Sequence, residues 1–106
     1  MISFIFAAVL VALGSGDAST AGATQTVHIK SFAFVPAKLT IAAGTVVRFI
    51  NDDAEAHTVT AKDKSFDSQG LDTGEAWGYR FAKSGTFAYF CELHPYMRGT
   101  IVVTKS

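Results

Sequence analysis

Hydrophobic and polar side chains alternate along several short segments of the chain from Thr26 onward. Val27 and Ile29 alternate with polar neighbours, and this period of two residues predicts a half-buried strand. Further segments with this alternation carry Phe32 and Phe34, Leu39 and Ile41, Val47 and Phe49, Trp77 with Tyr79 and Phe81, Phe87 and Tyr89, and Ile101 and Val103. No segment of the same region has a sustained helical period, and Gly, Asn and Asp separate the segments. The pattern predicts an all-β domain, a small antiparallel sandwich or barrel.

The N-terminal segment has a different pattern. Ile2 to Leu13 form an apolar run without charge, followed by small and polar residues up to Ala23. The run is too short to cross a bilayer as a helix, which takes about 20 residues, and Ala21 to Ala23 offer an A-x-A processing site. No Lys or Arg lies near its start, so an uncleaved anchor and a buried N-terminal segment are the alternatives. We expect residues 1–23 to be a signal peptide and residues 24–106 to form a periplasmic domain.

Composition narrows the classes of function. The chain has 106 residues, of which 49% are hydrophobic and 17% charged, which is enough for one globular domain. The formal net charge is zero and the pI about 6.8, so we expect neither a nucleic-acid partner nor stable membrane insertion of the mature domain. The single cysteine cannot form an internal disulfide, and a free thiol in an exported chain needs another role. Metal ligation would supply one.

Three candidate metal ligands follow a predicted strand at intervals of three residues: Cys91, His94 and Met97. Thiolate, imidazole and thioether form a soft donor set, and one Cys, two His and a weak axial Met make up an electron-transfer copper site. The second imidazole must come from elsewhere in the fold. His57, at a loop-to-strand junction 34 residues before Cys91, is the candidate, whereas His28 is expected to point to solvent. We therefore predict one copper ion per chain.

The chain resembles the cupredoxins, or type 1 blue copper proteins, over about Val27 to Val103. The residues that match the spacing of the family's first half are Phe34, Pro36, Leu39, Ile41, Gly44, Val47, Phe49, Asn51 and His57. Those that match the second half are Gly85, Phe87, Tyr89, Cys91, His94 and Met97. The short gaps between the last three resemble the loop of the amicyanin group, whereas plastocyanin and pseudoazurin have a longer second gap. The resemblance implies a small Greek-key β-sandwich or barrel with a Cu(I)/Cu(II) site and an electron carrier rather than an enzyme.

The chain departs from that family pattern at two positions near the site. Thr58 stands where amicyanin and plastocyanin carry Asn, so the hydrogen bond of that Asn is either replaced by a hydroxyl or absent. Leu93 replaces a Pro. The resemblance implies a redox partner, a quinoprotein dehydrogenase such as methylamine dehydrogenase or a c-type cytochrome. Leu93, Pro95 and Tyr96 flank His94 as an apolar rim, and we expect the protein, as a monomer, to dock its partner there. The residues expected to form an acidic border around that rim, or else an ordinary solvated loop, are Asp52, Asp53, Glu55 and Glu92, opposed by Arg98.

Three other interpretations of the same residues stay open at this point. A copper carrier or buffer would use the same ligands and differ in copper lability. A zinc site could be built from Cys91, His57 and His94, since zinc accepts thiolate and imidazole, although the thioether of Met97 is a poor zinc ligand. A β-sandwich with incidental Cys and His is the third. An enzyme would need a second metal centre or a catalytic dyad, and the sequence suggests neither.

Overall fold

The computed structural model of the chain describes residues 23–105, which contain eight strands and no helix. The strands are β1 (Thr24–Lys30), β2 (Ala33–Val35), β3 (Lys38–Ala42), β4 (Thr45–Asn51), β5 (Thr60–Ala61), β6 (Ala76–Phe81), β7 (Gly85–Cys91) and β8 (His94–Thr104). Within this range, no helix is long and apolar enough to cross a membrane. Of the predicted signal segment, residues 1–23, only Ala23 lies in the described part.

The strands form two four-stranded sheets, with the orders β2-β1-β4-β6 and β3-β8-β7-β5. The predicted all-β sandwich is thereby confirmed, but its strands are not all antiparallel. β1 pairs with β4, and β3 with β8, in parallel. Alternation of apolar side chains shows which face of a strand is buried and carries no information on strand direction, so the sequence pattern could not distinguish these pairs.

The inward faces of both sheets build one aromatic-rich core. Val27 and Ile29 on β1, and Val47 and Phe49 on β4, are all 0% exposed, as the period of two predicts. Tyr89 is also fully buried, with its ring edge-on to Phe49 at a centroid distance of 5.5 Å. The core therefore fixes the middle of β7, which runs directly into Cys91.

One turn differs from the sequence prediction. The alternation predicts Phe32 within a strand, but the structure places Ser31 and Phe32 in the two-residue turn between Lys30 and Ala33, which are paired. The Phe32 ring is 39% exposed. Its apolar side chain belongs to the surface near the predicted ligands rather than to the sandwich core.

The predicted ligand loop is the tip of a hairpin. Cys91 pairs with His94 across the end of β7 and the start of β8, next to an irregularity between Phe90 and Cys91. Only Glu92 and Leu93 lie outside the two strands. Both Cys91 and His94 are thus held by a hydrogen-bonded ladder that continues into the core.

Candidate metal centre

The structure brings three of the four predicted ligands together. His57, just before β5, Cys91, at the end of β7, and His94, at the start of β8, offer donor atoms that all lie within 4.8 Å of one another. The Sγ atom of Cys91 is 3.7 Å from Nδ1 of His57 and 3.7 Å from Nδ1 of His94. His57 and Cys91 are fully buried, and His94 is partly exposed. The structure thus places His57, the imidazole expected from a distant part of the sequence, beside Cys91 and His94, and its ligation of a metal stays a prediction.

Met97 lies on β8 with His94 and is 2% exposed. It belongs to the same buried cluster as Cys91. A thioether added to a thiolate and two imidazoles would complete the donor set that copper takes in electron-transfer sites. The three nearer donors alone would also suit zinc, so Met97 is the residue that makes the set fit copper better.

The segment after His57 provides a hydrogen bond to the predicted thiolate. The backbone N–H of Thr58 donates to Sγ of Cys91, with an N–S distance of 3.3 Å. A hydrogen bond to a metal-binding sulfur orients the ligand and tunes the potential of the site. This hydrogen bond links the segment that carries His57 to the strand that carries Cys91 and does not depend on a metal.

The hydroxyl of Thr58 takes the place of the family's Asn. Its Oγ1 accepts a hydrogen bond of 2.8 Å from the backbone N–H of Glu92 and lies 2.9 Å from Oγ1 of Thr60. Of the two alternatives left open by the sequence, replacement by a hydroxyl is therefore the one found. Thr58 links the His57 segment to the tip of the β7–β8 hairpin through both its backbone and its side chain.

Asp53 lies at the site, although its position in the sequence predicted a place in the acidic border. Its Oδ2 lies 2.9 Å from Nε2 of His57, and its side chain is only 12% exposed. An ionised carboxylate only accepts hydrogen bonds, so a hydrogen bond between these two atoms requires the proton on Nε2. In that tautomer the unprotonated Nδ1 faces Cys91 and is available to a metal. The sequence contains one hint of this contact, the separation of four residues between Asp53 and His57. In a loop, such a separation does not imply that two side chains touch.

Hydrogen bonds keep Asp53 ionised. Partial burial raises the pKa of this carboxyl, but hydrogen bonds from the backbone of Phe32 and Ser31 and from His57 outweigh burial and hold the pKa below its ordinary value. The donor distances are 2.7 Å for Ser31 N and 2.9 Å for Phe32 N. Asp53 therefore does not belong to a solvated acidic rim.

The remaining charged residues expected in the acidic border differ in their contacts. Asp52 pairs with Nδ1 of His28 at 2.6 Å, and the His28 side chain is 52% exposed. His28 therefore points to solvent, as predicted, and does not belong to the group of His57, Cys91 and His94. Glu55 and Glu92 are exposed, as is Arg98. Asp52 and Asp53 each contact a histidine, and an acidic border around the rim stays a prediction for Glu55 and Glu92.

The rim around His94 is apolar and exposed. Leu93 is 56% and Tyr96 68% exposed, and Pro95 between His94 and Tyr96 is exposed as well. Phe32, which carried no signal for this rim in the sequence, has its ring perpendicular to those of His57 and His94, at centroid distances of 5.2 Å and 5.0 Å. Phe32 therefore belongs to this rim and covers both imidazoles.

Comparison with known proteins gives concordant matches. The family model described as Cupredoxin-like domain matches residues 3–103. Amicyanin-alpha from Methylorubrum extorquens is 30% identical over 118 residues, covering 97% of this chain and 99% of that protein. Amicyanin from Paracoccus versutus is 29% identical over 82 residues, and the match covers 73% of this chain but only 62% of that protein. Among solved structures, the Cu-containing nitrite reductase (NirK) from Thermus scotoductus SA-01 has a TM-score of 0.74 and 31% identity, over 78% of this chain and 23% of that chain.

Proposed function

The chain belongs to the family of cupredoxin-like domains, and from this premise we propose that it is an amicyanin-like one-electron carrier whose single copper ion is held by His57, Cys91, His94 and Met97. The observation that carries the proposal is the convergence of two imidazole Nδ1 atoms, each 3.7 Å away, on the Cys91 sulfur. Copper as the cofactor is confirmed by the relationship to the amicyanins together with this donor set.

The chain's own residues divide the work of such a site. Copper, when bound, supplies a reversible one-electron couple. Cys91 provides the anionic soft donor, and the N–H of Thr58 keeps its sulfur oriented. Oδ2 of Asp53 lies within hydrogen-bond distance of Nε2 of His57, 2.9 Å away, and Met97 provides a buried thioether. Because the strands and hydrogen bonds fix these donors in advance, little rearrangement needs to accompany electron transfer.

His94 is the proposed port for the electron. It is the one partly exposed imidazole of the site, and the apolar side chains around it let a donor or acceptor approach without a layer of charge. We propose that redox proteins dock on Leu93, Pro95 and Tyr96, and that the partner is a quinoprotein dehydrogenase or a c-type cytochrome. The carrier would act as a monomer.

The cellular location is part of the proposal. We propose that residues 1–23 are removed as a signal peptide and that residues 24–106 act in the periplasm. The apolar run followed by small residues supports export, and β1 begins at Thr24, directly after the proposed cleavage site. Mass spectrometry of the protein isolated from a periplasmic extract would give the mass of the chain from Thr24 if this is correct, and a mass that includes the N-terminal segment if it is not.

The residues at the site favour an electron carrier over an enzyme. The match to the nitrite reductase covers only 23% of that chain, so the fold occurs as one part of an enzyme. Among residues 23–105, the group of His57, Cys91 and His94 is the one cluster of its kind. Four protein donors would leave no open position for a substrate.

Copper titration of the purified protein tests the proposal. We expect an intense visible thiolate-to-copper charge-transfer band at one equivalent of Cu(II), and its loss in Cys91→Ser, because serine removes the soft anionic donor. Cys91→Ser that stayed strongly coloured would overturn the ligand assignment. A copper buffer, the alternative role, would bind copper and yet lose it rapidly to a chelator and exchange electrons slowly with a small redox dye.

A further inference from the structure

The turn between β1 and β2 has an unusual backbone for its residues. Ser31 and Phe32 both have positive φ, 53° and 58°, and they connect Lys30 directly to Ala33. Two-residue hairpin turns with positive φ at both positions strongly prefer Asn-Gly or similar pairs. Non-glycine residues in such conformations cost free energy and persist only where the surroundings hold them. Something outside the turn must therefore stabilise it.

The carboxylate of Asp53 provides that stabilisation. Oδ1 accepts from the N–H of Ser31 at 2.7 Å, and Oδ2 accepts from the N–H of Phe32 at 2.9 Å. Charge-assisted hydrogen bonds of this kind are roughly twice as strong as neutral ones. The same Oδ2 lies 2.9 Å from Nε2 of His57, within hydrogen-bond distance. One carboxylate therefore binds both the turn and a predicted metal ligand.

The conformation of this turn determines where the Phe32 ring lies. That ring stands nearly perpendicular to both imidazoles, with interplanar angles of 88° to His57 and 89° to His94. Edge-to-face contacts at 5 Å are the preferred geometry for such rings. A phenyl group in this position keeps water away from one side of the two histidines.

We propose that Asp53 is a positioning residue of the metal centre, which fixes the tautomer of His57 and, through the Ser31–Phe32 turn, places Phe32 as an aromatic cover over His57 and His94. The proposal rests on the proposed function, since it takes these two histidines to be copper ligands. Its consequence for copper is electrostatic as well as geometric. A carboxylate one hydrogen bond from a ligand raises the basicity of that ligand and stabilises Cu(II) relative to Cu(I).

The first test needs no copper. Long-range nitrogen–proton NMR spectra of the copper-free protein report which ring nitrogen of each histidine carries the proton. We expect His57 to be protonated at Nε2 in the wild type and to populate both tautomers in Asp53→Ala. Asp52→Ala is the matched control, because it removes the neighbouring carboxylate that contacts His28 instead, and it should leave His57 unchanged. A wild-type tautomer at His57 in a folded Asp53→Ala protein would overturn the proposal.

The second test measures copper and uses a milder substitution. Asp53→Asn keeps the size of the side chain and removes its charge, and changes at such outer positions lower metal affinity about 10- to 100-fold. We expect Cu(II) affinity to fall about tenfold more than Cu(I) affinity, which for one electron corresponds to a rise of about 59 mV in midpoint potential. Asp52→Asn should shift the potential much less, because its carboxylate is more exposed. Equal shifts in the two variants would contradict a specific role for Asp53.

A third variant separates the two contacts of Asp53. Ser31→Gly in the Asp53→Ala background relieves the backbone strain at one turn position, because glycine adopts positive φ readily. It should restore the edge-on position of Phe32, seen as ring-current shifts on His94 protons, without restoring the tautomer of His57. Restoration of both would mean that Asp53 acts on His57 only through the turn. If the wild type failed to form a coloured copper site, the proposed function would fail while the tautomer test still decided the role of Asp53.

Discussion

Removal of the Thr58 hydroxyl should loosen the connection between the two segments that carry the predicted ligands. Thr58 is 5% exposed, and its Oγ1 is the acceptor for the backbone N–H of Glu92 at 2.8 Å. Thr58→Val keeps the shape of the side chain but offers no acceptor. The N–H of Glu92 then loses its partner, and the hydroxyl of Thr60 loses one of its two partners and keeps Oδ1 of Asp67, 3.3 Å away.

The expected cost follows from the burial of these groups. A buried donor left without an acceptor costs about 1–3 kcal/mol. Because the hydrogen bond between Thr58 and Glu92 is only partly buried, water can replace part of it, and we expect the free energy of unfolding of the copper-free protein to fall by about 1–2 kcal/mol. Copper affinity should fall by about tenfold, the lower end of the effect of outer-sphere changes on metal sites.

Denaturant unfolding and amide hydrogen exchange would measure both consequences. The Glu92 amide should exchange faster in Thr58→Val, whereas the control Thr58→Ser keeps the oxygen and should protect that amide as in the wild type. A stability loss without faster exchange at Glu92 would indicate a packing defect. Wild-type protection of the Glu92 amide in Thr58→Val would refute the structural role assigned to the hydroxyl.

Three further predictions concern other parts of the site and its support. Met97→Gln should lower the midpoint potential, because an oxygen donor favours Cu(II) over Cu(I) at the axial position; an unchanged potential with copper bound would mean that Met97 is not a ligand. Gly99→Ala should destabilise the fold by about 1–3 kcal/mol, because the added Cβ would come within 2.3 Å of Cζ of Tyr89. Thermal or denaturant unfolding would measure this loss, and wild-type stability would show that the Tyr89 ring can move aside. Leu93→Asp should slow electron transfer to a redox partner in stopped-flow measurements at every salt concentration, with Leu93→Ala as the uncharged control; transfer at the wild-type rate with an intact copper spectrum would exclude His94 as the port.

The sequence predicted those features that depend on local order along the chain. The buried positions of β1 and β4 follow from alternation, as Val27 and Phe49 show. Cys91 and His94 are close because they flank a tight hairpin. His57 could be chosen among the histidines only because the donor set lacked an imidazole and the family spacing indicated that position.

The features that escaped prediction depend on contacts between distant segments. Ser31 and Phe32 contain no signal for a turn with positive φ, because the stabilising acceptor is Asp53, more than 20 residues away. Phe32 resembles a strand residue in the sequence, yet its partners are imidazoles rather than the core. A carboxylate in a polar loop is equally compatible with solvent and with a histidine until the fold places that histidine beside it.

The two imidazoles of the site are held by different means, and this difference bears on how the carrier would exchange electrons. His57 is fully buried. Its Nε2 contacts the Asp53 carboxylate, and its Nδ1 faces the Cys91 sulfur. The hydrogen bonds found among residues 23–105 include none to Nε2 of His94, whose ring is flanked by Phe32 and Tyr96 through edge contacts. A ligand held by aromatic edges at a partly exposed position can meet a partner without breaking a hydrogen bond. In the proposed copper site, His57 would therefore anchor the metal from inside, and His94 would face the redox partner.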